Sequence, residues 1–211
     1  MDAAMKELLV ATGNVHKVRE IREILVGTGW EVVTPGEWAI RAGLAPPPEV
    51  VEDGATFETN AEKKARVLCG WAGRPALADD SGIEIDALGG APGVLSARFS
   101  GVSGPGTDEA NNRRMVELLI DVPEEERTGR YRCALVLVSP SGAVRRADGA
   151  CEGRISLLAR GDGGFGYDPH FLVEGDARGR TMAELAADEK HGISHRGQAL
   201  RNLLPLLADF L

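Results

Sequence analysis

The sequence predicts a mixed α/β protein, in which helices pack on a long, twisted β-sheet. Short apolar runs of strand length alternate with segments whose apolar residues recur at helical spacing, and later the pattern changes to strands joined by tight turns. The chain has 211 residues, of which 43% are hydrophobic, so it is long enough to bury a core. No repeat or low-complexity tract interrupts the pattern, and we expect one domain spanning residues 1–211.

The first half of the chain is predicted to alternate strands with helices. The apolar run at 7–11 is typical of a buried strand, and Val18, Ile21 and Leu25 follow it at the spacing of one helix face. A strand is predicted near 31–34, followed by a loop through the prolines at 46–48. Thr56 or Thr59 is predicted to cap the next helix, with Glu62 completing a capping box after Thr59, and this helix closes at 69–70. Two further strands are predicted at 76–78 and 83–87. Asp79 and Asp80 are therefore expected at the end of a strand.

The second half is predicted to hold a helix followed by antiparallel strands. Thr107 begins this helix, which Pro123 cannot continue. Residues 131–138 and 143–147 are predicted to form two antiparallel strands around a turn, with a third strand near 151–157. The segment 181–184 matches another capping box, and Ser194 is predicted to cap a last helix.

The charge balance argues against a nucleic-acid partner. Lys and Arg total 24 against 32 Asp and Glu, so the formal net charge of -8 opposes a long contact with a phosphate backbone. A small substrate is favoured instead. An acidic enzyme can still hold a polyanion where a few cations and a divalent metal converge.

Cysteine usage and hydropathy favour a cytoplasmic protein without a membrane segment. Cys69, Cys133 and Cys151 are odd in number and lack CxxC spacing, which fits reduced thiols. The longest apolar stretch, at 133–138, is far too short to span a bilayer, and the N-terminus shows no apolar signal core.

The segment ATGNVHK at 11–17 is a candidate phosphate-binding loop between the first strand and the first helix. Gly13 allows the backbone to approach a ligand, the helix start offers unpaired amides to a negative charge, and Lys17 can place an ammonium over the same spot. The segment lacks the spacing of a Walker A loop. An ordinary strand-to-helix turn with a solvated lysine is therefore an equal alternative.

A group of acids is the candidate metal site. Glu52 precedes one helix, and Asp79 and Asp80 follow an apolar strand. Hard carboxylate oxygens, completed by water and substrate phosphates, suit magnesium better than a softer metal, and one of these acids could also accept a proton from water. Glu84 and Asp86 are more typical of a solvated strand face, whereas a capped turn is the weaker alternative for Asp79 and Asp80.

The segment GDGGFGYDP at 161–169 contains the spacing GxGxxG, but its context excludes a dinucleotide fingerprint. Pro169 disfavours helical geometry at Asp168, where the helix of that motif would open. The segment instead forms a pliable loop whose Phe165, Tyr167 and Asp168 could stack on a base and hydrogen-bond to it. The alternative is a glycine-rich connection whose aromatic residues fill the core.

Cations and histidines cluster once more near the C-terminus, at Lys190, His191, His195 and Arg196. A zinc site is not favoured, because there is no HExxH motif and no nearby cysteine. Lys190 and Arg196 could contact phosphate or the carbonyl edge of a base. A solvated helix start is the alternative.

Taken together, five segments resemble the Ham1-like family of inosine triphosphate pyrophosphatases. In the family's order, they are LLVATGNVHKVREI, EDGATFETNAEKKA, ALADDSGIEIDALGGAPGVLSARFSG, GGFGYDPHF and AADEKHGISHRGQAL. The resemblance implies two lobes around a central cleft, a homodimer, and Mg²⁺ as the cofactor. It also implies hydrolysis of noncanonical purine nucleoside triphosphates (ITP, dITP and XTP) to the monophosphate and pyrophosphate.

The resemblance also assigns roles to individual residues. Glu52 and Asp80 match the magnesium-binding carboxylates, and Asp80 matches the group that activates the attacking water. The residues that match substrate contacts are Thr12, Gly13, Asn14, Val15, His16 and Lys17 in the triphosphate loop, Asn60, Lys64 and Ser81, Phe165, Gly166, Tyr167 and Asp168 in the base loop, and Lys190, His195 and Arg196.

Selectivity would depend on the 6-oxo group of the base, which accepts hydrogen bonds that the amino group of adenine cannot accept. A buried donor left unpaired penalises the wrong base by a few kcal/mol. Three alternatives remain: a Maf-type pyrophosphatase for modified pyrimidine nucleotides, a nucleotide-binding regulator without catalysis, and an NAD-dependent enzyme. The serine- and proline-rich loop of the Maf type is absent here, and the acids and Lys17 argue against lost catalysis.

Overall fold

The computed structural model describes residues 6–207 and residue 210. Six strands form one sheet in the order β2-β1-β3-β4-β5-β6. They are β1 (Lys6–Val10), β2 (Trp30–Val33), β3 (Ala76–Ile85), β4 (Thr128–Val138), β5 (Val144–Ile155) and β6 (Phe171–Val173). Strand β1 pairs in parallel with β2 and β3, whereas β5 and β6 are antiparallel, so the sheet is mixed. The predicted α/β class and mixed sheet are confirmed.

Six α-helices accompany the strands in the described part of the chain. They are α1 (Val15–Ile24), α2 (Pro35–Ala42), α3 (Phe57–Ala72), α4 (Thr107–Leu119), α5 (Ala187–Ile193) and α6 (His195–Leu207). None of the described helices is both long and apolar enough to cross a membrane.

The chain divides into two compact units. The first unit holds the residues up to Asp80, Cys133–Gly149 and the residues from Arg196 onward, and the second holds Ser81–Arg132 and Ala150–His195.

The sheet segment of the first unit is apolar on both faces. In β1, Leu8 packs in a cluster with residues of α1 and α6, whereas the next residue, Leu9, packs in a cluster with residues of α3. Neighbouring residues of a strand point to opposite faces, so helices cover this sheet segment on both sides. This is why β1 reads as a continuous apolar run rather than an alternating pattern.

The second unit has a core of its own around α4 and the strand residues that it contains. Met115 and Leu119, on one face of α4, are fully buried in a cluster with Ile83 and Ile85 of β3 and Phe171 of β6. Helix α4 begins at Thr107 as expected. Leu118, which the apolar spacing predicts on the same face as Met115 and Leu119, is exposed, so the predicted face is only partly buried.

Several predicted boundaries are wrong. Strand β3 is continuous, so Asp79 and Asp80 lie inside it rather than at its end. Strand β5 is also continuous, although Asp148-Gly149 resembles a turn. Helix α3 begins after Thr56, one of the two predicted caps, but the capping box joins Thr56 to Thr59 and not Thr59 to Glu62. The helix ends before Gly73, whose φ of 65° gives a left-handed cap, and not at 69–70 as predicted. In each case pairing or packing outweighs a local signal of polar residues or glycine.

The sequence analysis missed helices α2 and α5 and the three-residue strand β6. Helix α2 nevertheless carries a local signature. Thr34 accepts a hydrogen bond from the amide of Glu37, the Glu37 carboxylate accepts one from the amide of Thr34, and Pro35 is the first helical residue. The capping box and the proline were readable in the sequence, but eight residues are too few to show a clear apolar stripe.

A close backbone approach makes glycine necessary at position 82 of β3. An added Cβ would overlap Ser96 Oγ and lie 2.7 Å from the carbonyl oxygen of Gly93. Ser96 Oγ cannot yield easily, since it accepts a hydrogen bond from the amide of Ile83 at 2.9 Å and donates one to Gly93 at 2.6 Å.

We expect Gly82→Ala to lower the free energy of unfolding by about 1–3 kcal/mol, because the added methyl group overpacks a filled space. Urea denaturation would measure the change. Gly70→Ala is the matched control, since an added Cβ there meets nothing within 4 Å in the interior of α3. That variant should be unchanged or slightly more stable, and equal losses in both variants would contradict the steric argument.

Candidate active site

Strand β3 directs two neighbouring acids of the first unit to opposite faces of the sheet. Asp79 shares the face of Leu77, which packs in the cluster with α1 and α6, and Asp80 shares the face of Ala78, which packs with α3. Both side chains are buried. The two acids therefore meet different helices, Asp79 facing α1 and α6 and Asp80 facing α3.

Asp79 lies at the centre of a buried group of four charged side chains. Its Oδ1 is 2.7 Å from Lys17 Nζ on α1, and its Oδ2 accepts a hydrogen bond of 2.8 Å from Arg196 Nε on α6. The same guanidinium donates to Glu20 on α1. These bonds join α1 and α6 to β3, and they place the Lys17 ammonium at the end of the loop that precedes α1.

Two positive neighbours keep Asp79 ionised. Burial acts to raise the pKa of this carboxyl, but the charges of Arg196 and Lys17 outweigh burial and hold the pKa well below its usual range. Burial raises the pKa of the Cys133 thiol well above its ordinary value, so the thiol keeps its proton and donates to Asp79 Oδ2 at 3.3 Å. Asp79 is thus a counter-charge and not a carrier of protons.

The loop before α1 is organised by Asn14, the N-cap of that helix. Asn14 Oδ1 accepts hydrogen bonds from the amides of His16 at 2.9 Å and Lys17 at 3.2 Å. The expectation of unpaired amides is therefore wrong for these two groups. Gly13, Asn14 and Val15 are exposed, so the loop still presents its backbone to solvent.

Lys64 on α3 lies between the two acids predicted to hold a metal. Its Nζ is 2.9 Å from Asp80 Oδ1 and 3.2 Å from Glu52 Oε2, and it also donates to the carbonyl oxygen of Asp79 at 3.0 Å. The ammonium is almost fully buried, and three oxygens compensate for its lost hydration.

Asn60 fixes the segment that carries Glu52. Asn60 is fully buried one turn before Lys64 on α3, and its Oδ1 accepts a hydrogen bond of 2.7 Å from the amide of Gly54. An added Cβ on Gly54 would meet this same oxygen at 2.7 Å. The predicted site residue Asn60 therefore holds the backbone of the segment that carries Glu52 in place.

The two acids around Lys64 differ in their affinity for protons. Burial raises the pKa of Asp80 to about 6, although the Lys64 charge opposes the shift. Burial also acts to raise the pKa of Glu52, but there the Lys64 charge prevails and the pKa is lowered. Glu52 is thus ionised at neutral pH, whereas the pKa of Asp80 lies close to neutral pH.

The donor set fits a hard divalent cation that keeps water or substrate ligands. Asp80 Oδ2 is buried and has no hydrogen-bond partner among the described residues, and the Glu52 carboxylate lies beside Asp80. No group of three or more His, Cys, Asp or Glu side chains in that part of the chain forms a complete metal cage. Magnesium commonly binds through one or two carboxylates together with substrate phosphates, which matches this arrangement.

The second unit gathers the predicted base-site residues around Asp168. Asp168 Oδ2 accepts hydrogen bonds from Lys190 Nζ at 2.7 Å and from the amide of Phe165 at 2.9 Å. The Lys190 ammonium also lies 5.3 Å from the centroid of the Phe165 ring. Asp168 thus holds the aromatic ring of this loop next to a cation from α5.

Helix α4 holds the same loop through two hydrogen bonds. Gly166 donates its amide hydrogen to Asp108 at 2.7 Å and accepts a hydrogen bond from Asn112 Nδ2 at 2.9 Å. Together the helix and the loop line a cavity of about 490 Å³, to which Phe165 and Gly166 contribute. Tyr167 points away, since its hydroxyl donates to the carbonyl of Ser96 and its ring is buried.

The structure thus groups the predicted residues by unit. The first unit brings together Lys17, Glu52, Lys64 and Asp80, with Asn60 and Arg196 as their supports. The second unit brings together Phe165, Asp168 and Lys190, with Ser81 half-buried on β3. The sequence analysis missed Glu20, the partner of Arg196, and Tyr131, which contacts Asp168. The only local signal for Glu20 is its position three residues after Lys17.

We expect Asp79→Asn to lower the free energy of unfolding by about 3–5 kcal/mol, because it removes the counter-charge of Lys17 and Arg196 in a buried site. Denaturant unfolding followed by circular dichroism would measure the loss. Asp53→Asn is the matched control, since the Asp53–Lys63 ion pair is exposed and should contribute nothing measurable. Similar stability of both variants would contradict the role given to Asp79.

The raised pKa of Asp80 predicts a pH-dependent difference between the metal-free wild type and Asp80→Asn. Between its ordinary pKa of 3.8 and about 6, the folded protein keeps a proton on Asp80 that the unfolded chain has lost. The wild type should therefore lose stability relative to the variant as pH rises from about 4 to about 6.5, by up to about 3 kcal/mol. Thermal unfolding in EDTA across this range would measure the difference, and a constant difference would contradict the prediction.

Comparison with known proteins gives the chain its family. The model of the Ham1 family matches residues 8–206. The protein named dITP/XTP pyrophosphatase from Symbiobacterium thermophilum is 48% identical over 99% of this chain and 98% of its own length. A protein of the same name from Desulforamulus reducens is 47% identical over 95% of both chains.

A solved structure of a HAM1 protein from Coxiella burnetii has a TM-score of 0.82 and 37% identity, and the match covers 97% of this chain and all of that one. The similarity in sequence and the similarity in fold agree, and they confirm the resemblance carried by the five segments. The chain belongs to the Ham1 family.

Proposed function

We propose that this protein hydrolyses noncanonical purine nucleoside triphosphates, namely dITP, XTP and ITP, to the monophosphate and pyrophosphate. The names of its relatives support this reaction. The observation that carries the proposal for this chain is the buried carboxylate of Asp80 beside Glu52. One of its oxygens contacts Lys64, and the other has no hydrogen-bond partner between residues 6 and 207. We further propose that residues 1–211 act as a single catalytic domain that cleanses the cytoplasmic nucleotide pool.

Glu52 and Asp80 would hold Mg²⁺. When bound, the ion neutralises phosphate charge and polarises the bond that is cleaved. The low pKa of Glu52 keeps one negative ligand available at neutral pH. The unpartnered oxygen of Asp80 gives that carboxylate a coordination site that no donor in the described part of the chain occupies.

Asp80 would also accept the proton of the attacking water. A general base works best when its pKa is near the working pH, and burial brings the pKa of Asp80 to about 6. At pH 7 and above the carboxylate is ionised and can take this proton. Lys64, at 2.9 Å, would stabilise the negative charge that builds up on the phosphate oxygens during the reaction.

The triphosphate would lie along the loop before α1. Thr12, Gly13, Asn14, Val15 and His16 present exposed or half-exposed groups there, and Lys17 supplies a cation that Asp79 holds in place. Because Arg196 is buried against Asp79 and Glu20, it would support the phosphates indirectly, through Asp79 and Lys17.

The base would be recognised by the loop of the second unit. Phe165 offers an aromatic face, Lys190 offers a donor for the 6-oxo group, and Asp168 anchors both. Gly166, His195 and Ser81 complete the proposed set, whereas Tyr167, with its ring buried and its hydroxyl on Ser96, would support the loop and not contact the base directly. A donor aimed at a carbonyl oxygen would be left unpaired by adenine, which costs a few kcal/mol in a buried site.

The active form would be a homodimer, as the family resemblance implies, and the substrate would be a free nucleotide. The net charge of -8 supports the second point, because a long nucleic-acid contact would meet electrostatic repulsion.

We expect Asp80→Asn to lower kcat for dITP by about 10²–10⁴-fold, because the variant loses its proton acceptor. The measurement is steady-state pyrophosphate release at pH 8 with dITP, XTP, ITP, GTP and ATP, with and without Mg²⁺. Binding of Mg²⁺, followed by calorimetry, should weaken in the same variant, and circular dichroism would verify its fold.

One control variant and three possible outcomes make this experiment decisive. Asp53→Asn changes an exposed acid on the same loop as Glu52 and should retain the wild-type rate. Near-normal turnover in Asp80→Asn would remove Asp80 from the mechanism. Nucleotide binding without hydrolysis in the wild type would favour a regulator, and hydrolysis of modified pyrimidine nucleotides alone would favour a Maf-type activity.

A further inference from the structure

Tyr131 occupies the centre of the base-recognition side of the second unit, although no sequence signal assigns it a role. It lies on β4 and is almost fully buried. Its hydroxyl donates a hydrogen bond of 2.9 Å to Asp168 Oδ1. Its ring lies 4.7 Å from the ring of His195 with an interplanar angle of 12°, and 4.6 Å from the ring of Phe171. One side chain thus contacts two predicted site residues by two different interactions.

The hydroxyl of Tyr131 completes the hydrogen bonding of the Asp168 carboxylate. Lys190 and the amide of Phe165 both donate to Oδ2, and among the residues that the structure describes Tyr131 is the one donor to Oδ1. A carboxylate held through one oxygen can rotate about its terminal torsion, which is broad for Asp. A donor on the second oxygen restricts this rotation, so it also fixes the positions of Lys190 and Phe165.

The loop is wrapped too closely around Asp168 to tolerate a rotated carboxylate. An added Cβ on Gly164 would overlap Asp168 Oδ2 and lie 3.1 Å from Asp168 Cβ, and Gly164 has a φ of 74°. The backbone of the loop therefore touches the carboxylate directly. A change in the orientation of Asp168 must displace the loop or break the bond to the Phe165 amide.

We propose that Tyr131 is a positioning residue that sets base selectivity in the reaction proposed above, on which this inference rests. Its hydroxyl orients Asp168, which holds Lys190 and Phe165 where they meet the base. Its ring supports His195 by parallel stacking. Tyr131 itself does not touch the base or the phosphates, and it acts through Asp168 and His195.

Tyr131→Phe tests the proposal, because it removes one oxygen atom and keeps the ring that stacks on His195 and Phe171. A hydrogen bond to a charged acceptor affects an equilibrium by roughly tenfold or more. We therefore expect KM for dITP and XTP to rise roughly tenfold, kcat to change little, and the preference for dITP over dATP to fall by a similar factor.

Thr128→Val is the matched control, since Thr128 lies on the same strand and its hydroxyl donates to the carboxylate of Asp86 at 2.7 Å. The control removes the same kind of bond outside the base loop, so its kinetics should equal those of the wild type. Tyr131→Leu removes both the hydroxyl and the stacking ring, and its KM should rise further than that of Tyr131→Phe.

Hydrogen exchange of the peptide covering 161–170 tests positioning without relying on activity. The amide of Phe165 should exchange roughly tenfold faster in Tyr131→Phe and at the wild-type rate in Thr128→Val. Unchanged exchange and unchanged selectivity would overturn the proposal. Equal losses for dITP and dATP, with a lower melting temperature, would also overturn it by showing a purely structural role. Accelerated exchange in a protein without pyrophosphatase activity would support the positioning and reject the proposed reaction.

Discussion

The arrangement of the first unit depends on the buried ion pairs of Asp79. This carboxylate contacts both Lys17 on α1 and Arg196 on α6, and each of its oxygens accepts a bond. Together with Glu20 it balances their two positive charges. A buried pair of this kind gains little net stability, but the loss of one member leaves an uncompensated charge in an apolar interior. The pairs therefore act as a constraint on geometry. They require two helices to approach β3 at fixed positions, and they leave the Lys17 ammonium at the end of the exposed loop.

Adjacent acids of one strand have opposite chemical properties because they face different surroundings. Asp79 meets two cations and is a permanent anion, whereas Asp80 shares one cation with Glu52 and titrates near pH 6. The alternation of a β-strand separates the two environments across the thickness of a sheet. A carboxylate with a raised pKa can take part in proton transfer, and a carboxylate with a depressed pKa cannot. Neighbouring positions of the strand thus supply one carboxylate that stays ionised and one whose protonation changes near pH 6.

Local patterns in the sequence predicted α1, α4, the mixed sheet and the charged residues of the site, because apolar period and chemical type are local properties. They failed where long-range partners decide. The local sequence around Asp79 and Asp80 is also typical of a turn, and it does not show that Lys17, Lys64 and Arg196 contact these acids in a strand. Arg196 is likewise typical of a solvated cation in the sequence, whereas the structure buries it against Glu20. The role of Tyr131 was equally invisible, since its partner Asp168 lies 37 residues away.

The spacing of Asn60 and Lys64 on α3 gives that helix a mechanical role. The two residues lie one turn apart on the buried face. Asn60 accepts a hydrogen bond from the backbone of Gly54, near Glu52, and the Lys64 ammonium lies between Glu52 and Asp80. A helix moves as a rigid rod over such a short distance. Any sliding of α3 along the sheet would therefore shift the loop and the ammonium together. Ala61 and Ala65, the small buried residues of the same helix, thus fix how closely α3 packs and with it the spacing of Glu52, Lys64 and Asp80.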